Sequence, residues 1–257
     1  MEKKKTSVGI IIAVVAFCLL IAGGAVTAVL LLNANKDKEP GETTTSTTAE
    51  QGEKKQPEKK SEGGSTDNAG IIAASVDNGN IGDHVRGKRD SKVLVVEYAD
   101  PQCPGCAMVM PKMNAIYEKY KDKVAFVYRH YPISGHQNAV SAAIAIEAAG
   151  KQGYFWEMLD ALFDNQVSWA YKSGGSLTLA YIDIFRDITD DEGDVTQFKK
   201  DLNDSNLEKK VTFDKKQGTK IELEATPTVV VNGEKVDFYT SNDIQKTIEE
   251  AIEKALK

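Results

Sequence analysis

The chain has 257 residues with 38 Asp and Glu against 32 Lys and Arg, a formal net charge of −6. Lysines and acids are interspersed, which excludes the basic footprint of a nucleic-acid binder and fits an ordinary solvated surface. By length the chain could hold one or two domains, but its first 70 residues cannot pack a core, so the folded part is roughly one domain.

Residues 8–32, VGIIIAVVAFCLLIAGGAVTAVLLL, carry no charge, and at about 1.5 Å per helical residue they reach about 37 Å, enough to cross a bilayer with some tilt. A cleavable signal peptide competes, because VTA ends at Ala28 with small residues, but the apolar run continues past that point. An uncleaved signal-anchor is expected. Lys3, Lys4 and Lys5 precede the run, whereas Lys36 and Lys38 after it are interleaved with Asp37, Glu39 and Glu42. This asymmetry places residues 1–7 in the cytoplasm and the rest outside it, a single-pass cell-membrane topology. Cys18 lies mid-span as apolar filler. Residues 33–70 are Thr, Glu, Lys, Gly and Ser with almost nothing apolar, a disordered tether whose root-mean-square span is about 34 Å.

In the folded part, residues 71–90 (IIAASVDNGNIGDHVRGKRD) offer at most a short edge strand. KVLVVEYA (92–99) is a β-branched run typical of a strand buried on both faces. Met110, Met113, Ile116, Tyr117 and Tyr120 then recur at three- and four-residue spacing, predicting an amphipathic helix. VAFVYRHYPI (124–133) reads as a second strand, completing a right-handed parallel unit. From about 136 to 216 the patterning is helical throughout, and Asp194 with Gln197 supplies one capping-box start. The aromatics Tyr154, Phe155, Trp156 and Phe163 read as core of this insert. TDDEGDV (189–195) does not fit the EF-hand spacing and reads as a helix-capping loop. TPTVVVNGEKVDF (226–238) is a hairpin around Asn-Gly, and SNDIQKTIEEAIEKAL closes with a helix capped by Ser241 or Asn242. The sum is an α/β fold, one mixed sheet flanked by helices with an inserted all-helical subdomain.

The chemistry concentrates at EYADPQCPGC, residues 97–106. The pair Cys103 and Cys106 could belong to a metal site, a structural staple or a redox centre. Zinc needs four ligands, and outside the apolar run only these cysteines with His84, His130 and His136 are available, without the close-spaced histidines of a finger. A staple closing so few residues removes little unfolded-state entropy. The redox reading uses the setting: Cys103 falls where a buried strand ends and a helix begins, so free N–H groups and the helix dipole favour its thiolate. Pro104 suits the first helical turn. Cys106, one turn further in, becomes the shielded resolving thiol beneath an exposed nucleophile.

VVEYADPQCPGC with Pro111, and ATPTVVVNGE after the helical block, resemble the thioredoxin fold and in particular the DsbA-like extracytoplasmic oxidoreductases, over roughly residues 75–257 of a folded domain that spans 71–257. The resemblance implies that Cys103 and Cys106 form the redox-active disulfide with no further cofactor or metal. It implies that Glu97 is the buried acid that exchanges a proton with Cys106, and that Pro227 is the family's cis-proline. Thr226 and Pro227, with Pro104 and Gly105 opposite them, then form the face that receives a substrate strand. The implied function is oxidation of reduced exported proteins, with reoxidation by a quinone-linked membrane thiol oxidase of DsbB-like or VKOR-like type. Strongly oxidising members place histidine where this chain has Gly105, so a disulfide reductase or isomerase is the rival within redox chemistry. A non-catalytic peptide-binding module is the rival from another class.

Overall fold

The computed structural model describes residues 70–257. The expected anchor at 8–32 and all but the last residue of the expected tether lie outside the described residues. Among the described residues no helix is long and apolar enough to cross a membrane.

A 3-10 turn at Val76–Asn78 precedes the first strand, β1, Val85–Gly87. Next come β2, Leu94–Ala99, helix α1, Pro104–Tyr120, and β3, Ala125–His130. The helical insert comprises α2, Ala139–Gly150, α3, Phe155–Asp164, and the single turn α4, Gln166–Trp169. It continues with α5, Gly174–Ile188, α6, Val195–Asp201, and α7, Ser205–Lys220. The hairpin β4, Thr228–Val231, and β5, Glu234–Lys235, is followed by α8, Ile244–Ala255.

The five strands form one sheet in the order β1-β3-β2-β4-β5. Only β2 and β3 run parallel, with Glu97 opposite Tyr128, and β4 lies antiparallel to β2 with Val229 opposite Glu97. This is the mixed sheet of a thioredoxin fold, with β2 in the middle.

Strand alternation sorts the side chains onto two faces. Val95, Ala99, Phe126, Tyr128, Val229 and Val231 join α1, α8 and the insert in the main core. Leu94, Val96, Tyr98, Ala125, Val127 and Val230 form a second cluster on the other face, closed by Ile71 and Leu223. Burying each such aliphatic side chain contributes about 1.5–3 kcal/mol, which is why β2 and β3 carry β-branched residues on both faces.

The weakly signalled edge strand exists as β1, antiparallel to β3. It ends at Gly87, where φ is +82° and a Cβ would sit 2.5 Å from the Val124 carbonyl oxygen, so the chain can turn away only with glycine. Asn232 and Gly233 both have positive φ, 47° and 87°, the requirement of a two-residue type I′ turn.

Two local expectations change. Helix α8 is capped by Asp243, whose side chain accepts from the Lys246 N–H at 3.1 Å, instead of Ser241 or Asn242. Asp194 does cap α6, accepting from Gln197 N–H at 2.9 Å, but the Gln197 side chain turns forward to Asp201 and leaves the box half made. Asp201 already receives Lys151, so its carboxylate offers Gln197 a stronger partner than a backbone amide would.

Candidate active site

Strand β2 ends at Ala99, and the loop Asp100–Gln102 delivers Cys103 as the N-cap of α1, with extended dihedrals of −74° and 121° and Pro104 in the first turn. Buried Asp100 organises this loop. Its backbone carbonyl accepts from Cys103 N–H at 3.0 Å, and its N–H donates to Cys106 Sγ at 3.5 Å. Its carboxylate takes the Gln102 N–H at 2.7 Å, the Ile133 N–H at 2.8 Å and pairs with His136 Nδ1 at 2.7 Å. The Cys103 carbonyl accepts from the N–H groups of Cys106 and Ala107, which starts the helix directly beneath the first cysteine.

Facing the pair, the Thr226–Pro227 peptide bond is cis. The Cys103 thiol approaches the Thr226 carbonyl oxygen at 3.7 Å. Thus the Thr226 carbonyl lies against the Cys103 sulfur when both cysteines are reduced, as they are here. A Cβ added at Gly105 would lie 3.6 Å from Cys103 Sγ and 3.8 Å from both Pro227 Cδ and the Thr226 oxygen. Those are ordinary contacts, so crowding does not dictate glycine at this position. The structure therefore gathers Pro104, Gly105, Thr226 and Pro227 around Cys103.

The two thiols sit in opposite electrostatic settings. Cys103 is lowered to about 5, chiefly because the Cys106 thiol donates to its sulfur, with further help from Thr226 and from the Cys106 and Gly105 N–H groups, against the cost of burial. The Thr226 hydroxyl is buried and has no other partner among the described residues. Cys106 is pushed well above the usual thiol range by burial and by donating to Cys103. Cys106 is fully buried, and Cys103 is only 9% exposed. The nucleophile is thus less open than its position at a strand end suggests, because the Thr226–Pro227 segment packs over it.

Glu97 lies on the same face of β2 as Val95 and Ala99, pointing into the core beneath α1. Its Oε1 has no hydrogen-bond partner among the described residues. Burial raises its carboxyl to about 7, with Arg86 opposing and Asp160 reinforcing the rise. An acid of that strength can accept a thiol proton near neutral pH.

Several residues at the site carry no sequence signal of their own. Gln166, in the turn α4, donates through Nε2 to the Pro101 carbonyl at 2.8 Å and to the Cys103 carbonyl at 3.1 Å. Gln102 donates to the Ala170 carbonyl, and its Oε1 accepts the Asn138 N–H. Tyr239 donates its hydroxyl to the Pro227 carbonyl. Only His136 stood among the sequence candidates, as a rejected zinc ligand. Beside Pro104, Gln102, Asn138 and Gln166 line a cleft of about 650 Å³, with His136, Val167, Tyr171 and Lys172 on its walls.

A family model described as Thioredoxin matches residues 79–250. The chain is similar to the probable disulfide bond formation protein D of Bacillus cereus, 31% identical over 184 residues that cover 66% of this chain and 77% of that protein. It is also similar to the Na(+)/H(+) antiporter NhaA 1 of Mycolicibacterium vanbaalenii, 36% identical over 154 residues, 59% of this chain. The chain spans only 23% of the length of that relative. Among solved structures it resembles alpha-DsbA1 from Wolbachia pipientis, with a TM-score of 0.56 and 23% identity, covering 68% of this chain and 90% of the other. At that identity the likeness carries the fold alone.

Proposed function

The chain belongs to the thioredoxin family, among its DsbA-type thiol-disulfide oxidoreductases, and on that premise we propose that it is a thiol oxidase that introduces disulfides into exported proteins. The observation that carries this reading is the asymmetry of the cysteine pair. Cys103 is held as a thiolate near neutral pH while Cys106 stays protonated and buried. A stabilised Cys103 thiolate favours the reduced protein over its disulfide, and that makes the disulfide oxidising.

In the proposed cycle a substrate thiolate attacks the Cys103 sulfur of the Cys103–Cys106 disulfide. The bond between the two cysteines breaks, Cys106 leaves and is protonated, and a mixed disulfide joins substrate to Cys103. A second substrate thiolate then attacks the substrate sulfur, and Cys103 leaves as the thiolate. Two electrons have passed from the substrate dithiol to the protein. The redox-active disulfide is itself the cofactor of this cycle. Return of the electrons to a quinone-linked membrane thiol oxidase of DsbB-like or VKOR-like type completes it, with the domain tethered outside the membrane by residues 8–32.

The test is the reduction potential of the Cys103/Cys106 couple, equilibrated against glutathione. An oxidase is expected above about −200 mV, whereas a value near thioredoxin's roughly −270 mV would sink the claim in favour of a reductase. Replacing Cys103 by Ser should abolish oxidation of a reduced substrate protein, and retained function would instead indicate a peptide-binding module.

A further inference from the structure

The charges that act most strongly on Glu97 come from outside the active-site loop. Arg86, on the edge strand β1, reaches between two rings: its guanidinium carbon lies 4.3 Å from the ring centre of Tyr117 on α1 and 4.3 Å from that of Trp156 on α3. Its Nη2 donates to Asn114 Oδ1 at 2.9 Å, and Asn114 Nδ2 donates to Asp160 Oδ1 at 3.0 Å. Arg86 Nε is buried without a hydrogen-bond partner among the described residues, as is Glu97 Oε1. The sheet register sets Arg86 opposite Phe126 and Glu97 opposite Tyr128, two residues on one face of β3, so the hydrogen bonds and the aromatic clamp fix one cation and one carboxylate on the side of the sheet where the unpartnered acid lies.

We propose that the chain Arg86–Asn114–Asp160 governs when Glu97 takes the Cys106 proton, with Arg86 drawing the Glu97 carboxyl toward its ionised form and Asp160 drawing it toward the neutral one. Arg86 is then a positioning residue acting through Glu97. The inference rests on the oxidoreductase reading of the cysteine pair. The step it controls is resolution of a mixed disulfide between Cys103 and a partner thiol. The Cys106 proton passes to Glu97, the Cys106 sulfur bonds to the Cys103 sulfur, and the bond from Cys103 to the partner breaks, releasing the partner as a thiolate.

The packing isolates these two charges. The charges acting on Glu97 are those of Arg86 from β1 and Asp160 from α3, while β3 sets Tyr128 and β4 sets Val229 opposite it and α1 packs Cys106 into the core on that face. Burial pushes Tyr128 and Cys106 well up, so both stay neutral around pH 7. Arg86 and Asp160 remain as the pair whose charges oppose each other. Glu97 and Arg86 attract across a buried space where solvent screens poorly, so removing either outer charge should be felt strongly.

The experiment mixes the reduced full chain with oxidised glutathione, quenches with acid, and follows by mass the loss of the glutathione adduct from pH 5 to 9. Its rate should rise with pH around the ionisation of Glu97. Arg86→Met should move that midpoint up by about one pH unit, because a nearby cation typically lowers a carboxyl by one to three. Arg86→Lys should restore most of the wild-type profile, and Asp160→Asn should move the midpoint down. Loss of packing alone would not shift the two charge variants in opposite directions. Equal midpoints in wild type, Arg86→Met and Asp160→Asn, or shifts of the same sign, would overturn the inference. Should Arg86→Met fail to fold, Asp160→Asn and Arg86→Lys decide it: an unmoved midpoint in the first or a lost profile in the second overturns it. If the wild type forms no glutathione adduct at all, the oxidoreductase reading itself fails.

Discussion

Cys103 and Cys106 are the same residue type three positions apart, and their environments drive their proton affinities in opposite directions. The N-cap position exposes one sulfur to N–H groups and to its neighbour's thiol, while the next helical turn buries the other. Glu97 shows the same logic with a carboxyl. Its native value near 7 lies above the ordinary 4.5, so the folded state prefers the protonated acid. The acid therefore costs stability progressively as pH rises from about 4.5 to 7, and the cost stays constant above that. Glu97→Gln should leave stability at pH 4 almost unchanged but raise it by about 3 kcal/mol at pH 8, measured by urea unfolding. The same substitution should slow resolution of the glutathione adduct at least tenfold, since general-base catalysis contributes about 10²–10⁴-fold. Glu97 was legible in the sequence as an acid inside an apolar strand. Arg86 was not, because a lone arginine near an edge strand reads as surface until the fold clamps it between Tyr117 and Trp156.

The elements that meet at the site come from three parts of the chain: the β2–α1 junction, the Thr226–Pro227 turn before β4, and the insert. The first two announce themselves by motif. The insert's role is different, because Gln166 of the turn α4 holds the carbonyls of Pro101 and Cys103 and thereby braces the loop that aims the nucleophile. The Cys103 carbonyl also accepts from the Cys106 and Ala107 N–H groups, so of the two it is the Pro101 carbonyl that loses its partner with that side chain. Gln166→Leu should therefore destabilise the protein by about 1–3 kcal/mol, the cost of leaving one buried acceptor unpaired, and should lower the rate at which Cys103 is alkylated at pH 7. Thermal melting and iodoacetamide labelling check the two effects. Helical periodicity made the insert's helices legible, yet periodicity contains nothing about which polar side chain on a short turn faces the catalytic loop.

Across the whole molecule a buried ionic network ties distant segments together. Glu147 on α2 pairs with His84 at 2.9 Å and His130 at 3.0 Å. On its other side Asp214 on α7 takes Lys210 at 2.6 Å, and Asp83 pairs with Arg129 at 2.6 Å. His130, Glu147 and Asp214 stand close enough to suggest metal ligands, but the Lys210 ammonium already occupies Asp214, and Glu147 is already engaged by Nε2 of both His84 and His130. Burial alone would raise Glu147; His84 and His130 overcome it and hold the carboxyl well below its usual 4.5. Its stabilising contribution is therefore complete above about pH 4.5 and is lost as pH falls. Glu147→Gln should cost about 1–3 kcal/mol at pH 7, as losing hydrogen bonds to a buried carboxylate does, and should flatten the acid side of the stability profile in urea titrations at pH 7 and pH 4. The order of elements, the parallel unit, the Asn-Gly hairpin and the redox pair were all written locally, in β-branched runs, turn residues and the CPGC spacing, because their causes act over a few residues. The Glu147 network, the Gln166 brace, the Arg86 clamp and the near-burial of Cys103 join residues tens of positions apart. Those were decided only when the sheet and the insert closed on one another, since burial and charge pairing depend on distance in space and not along the chain.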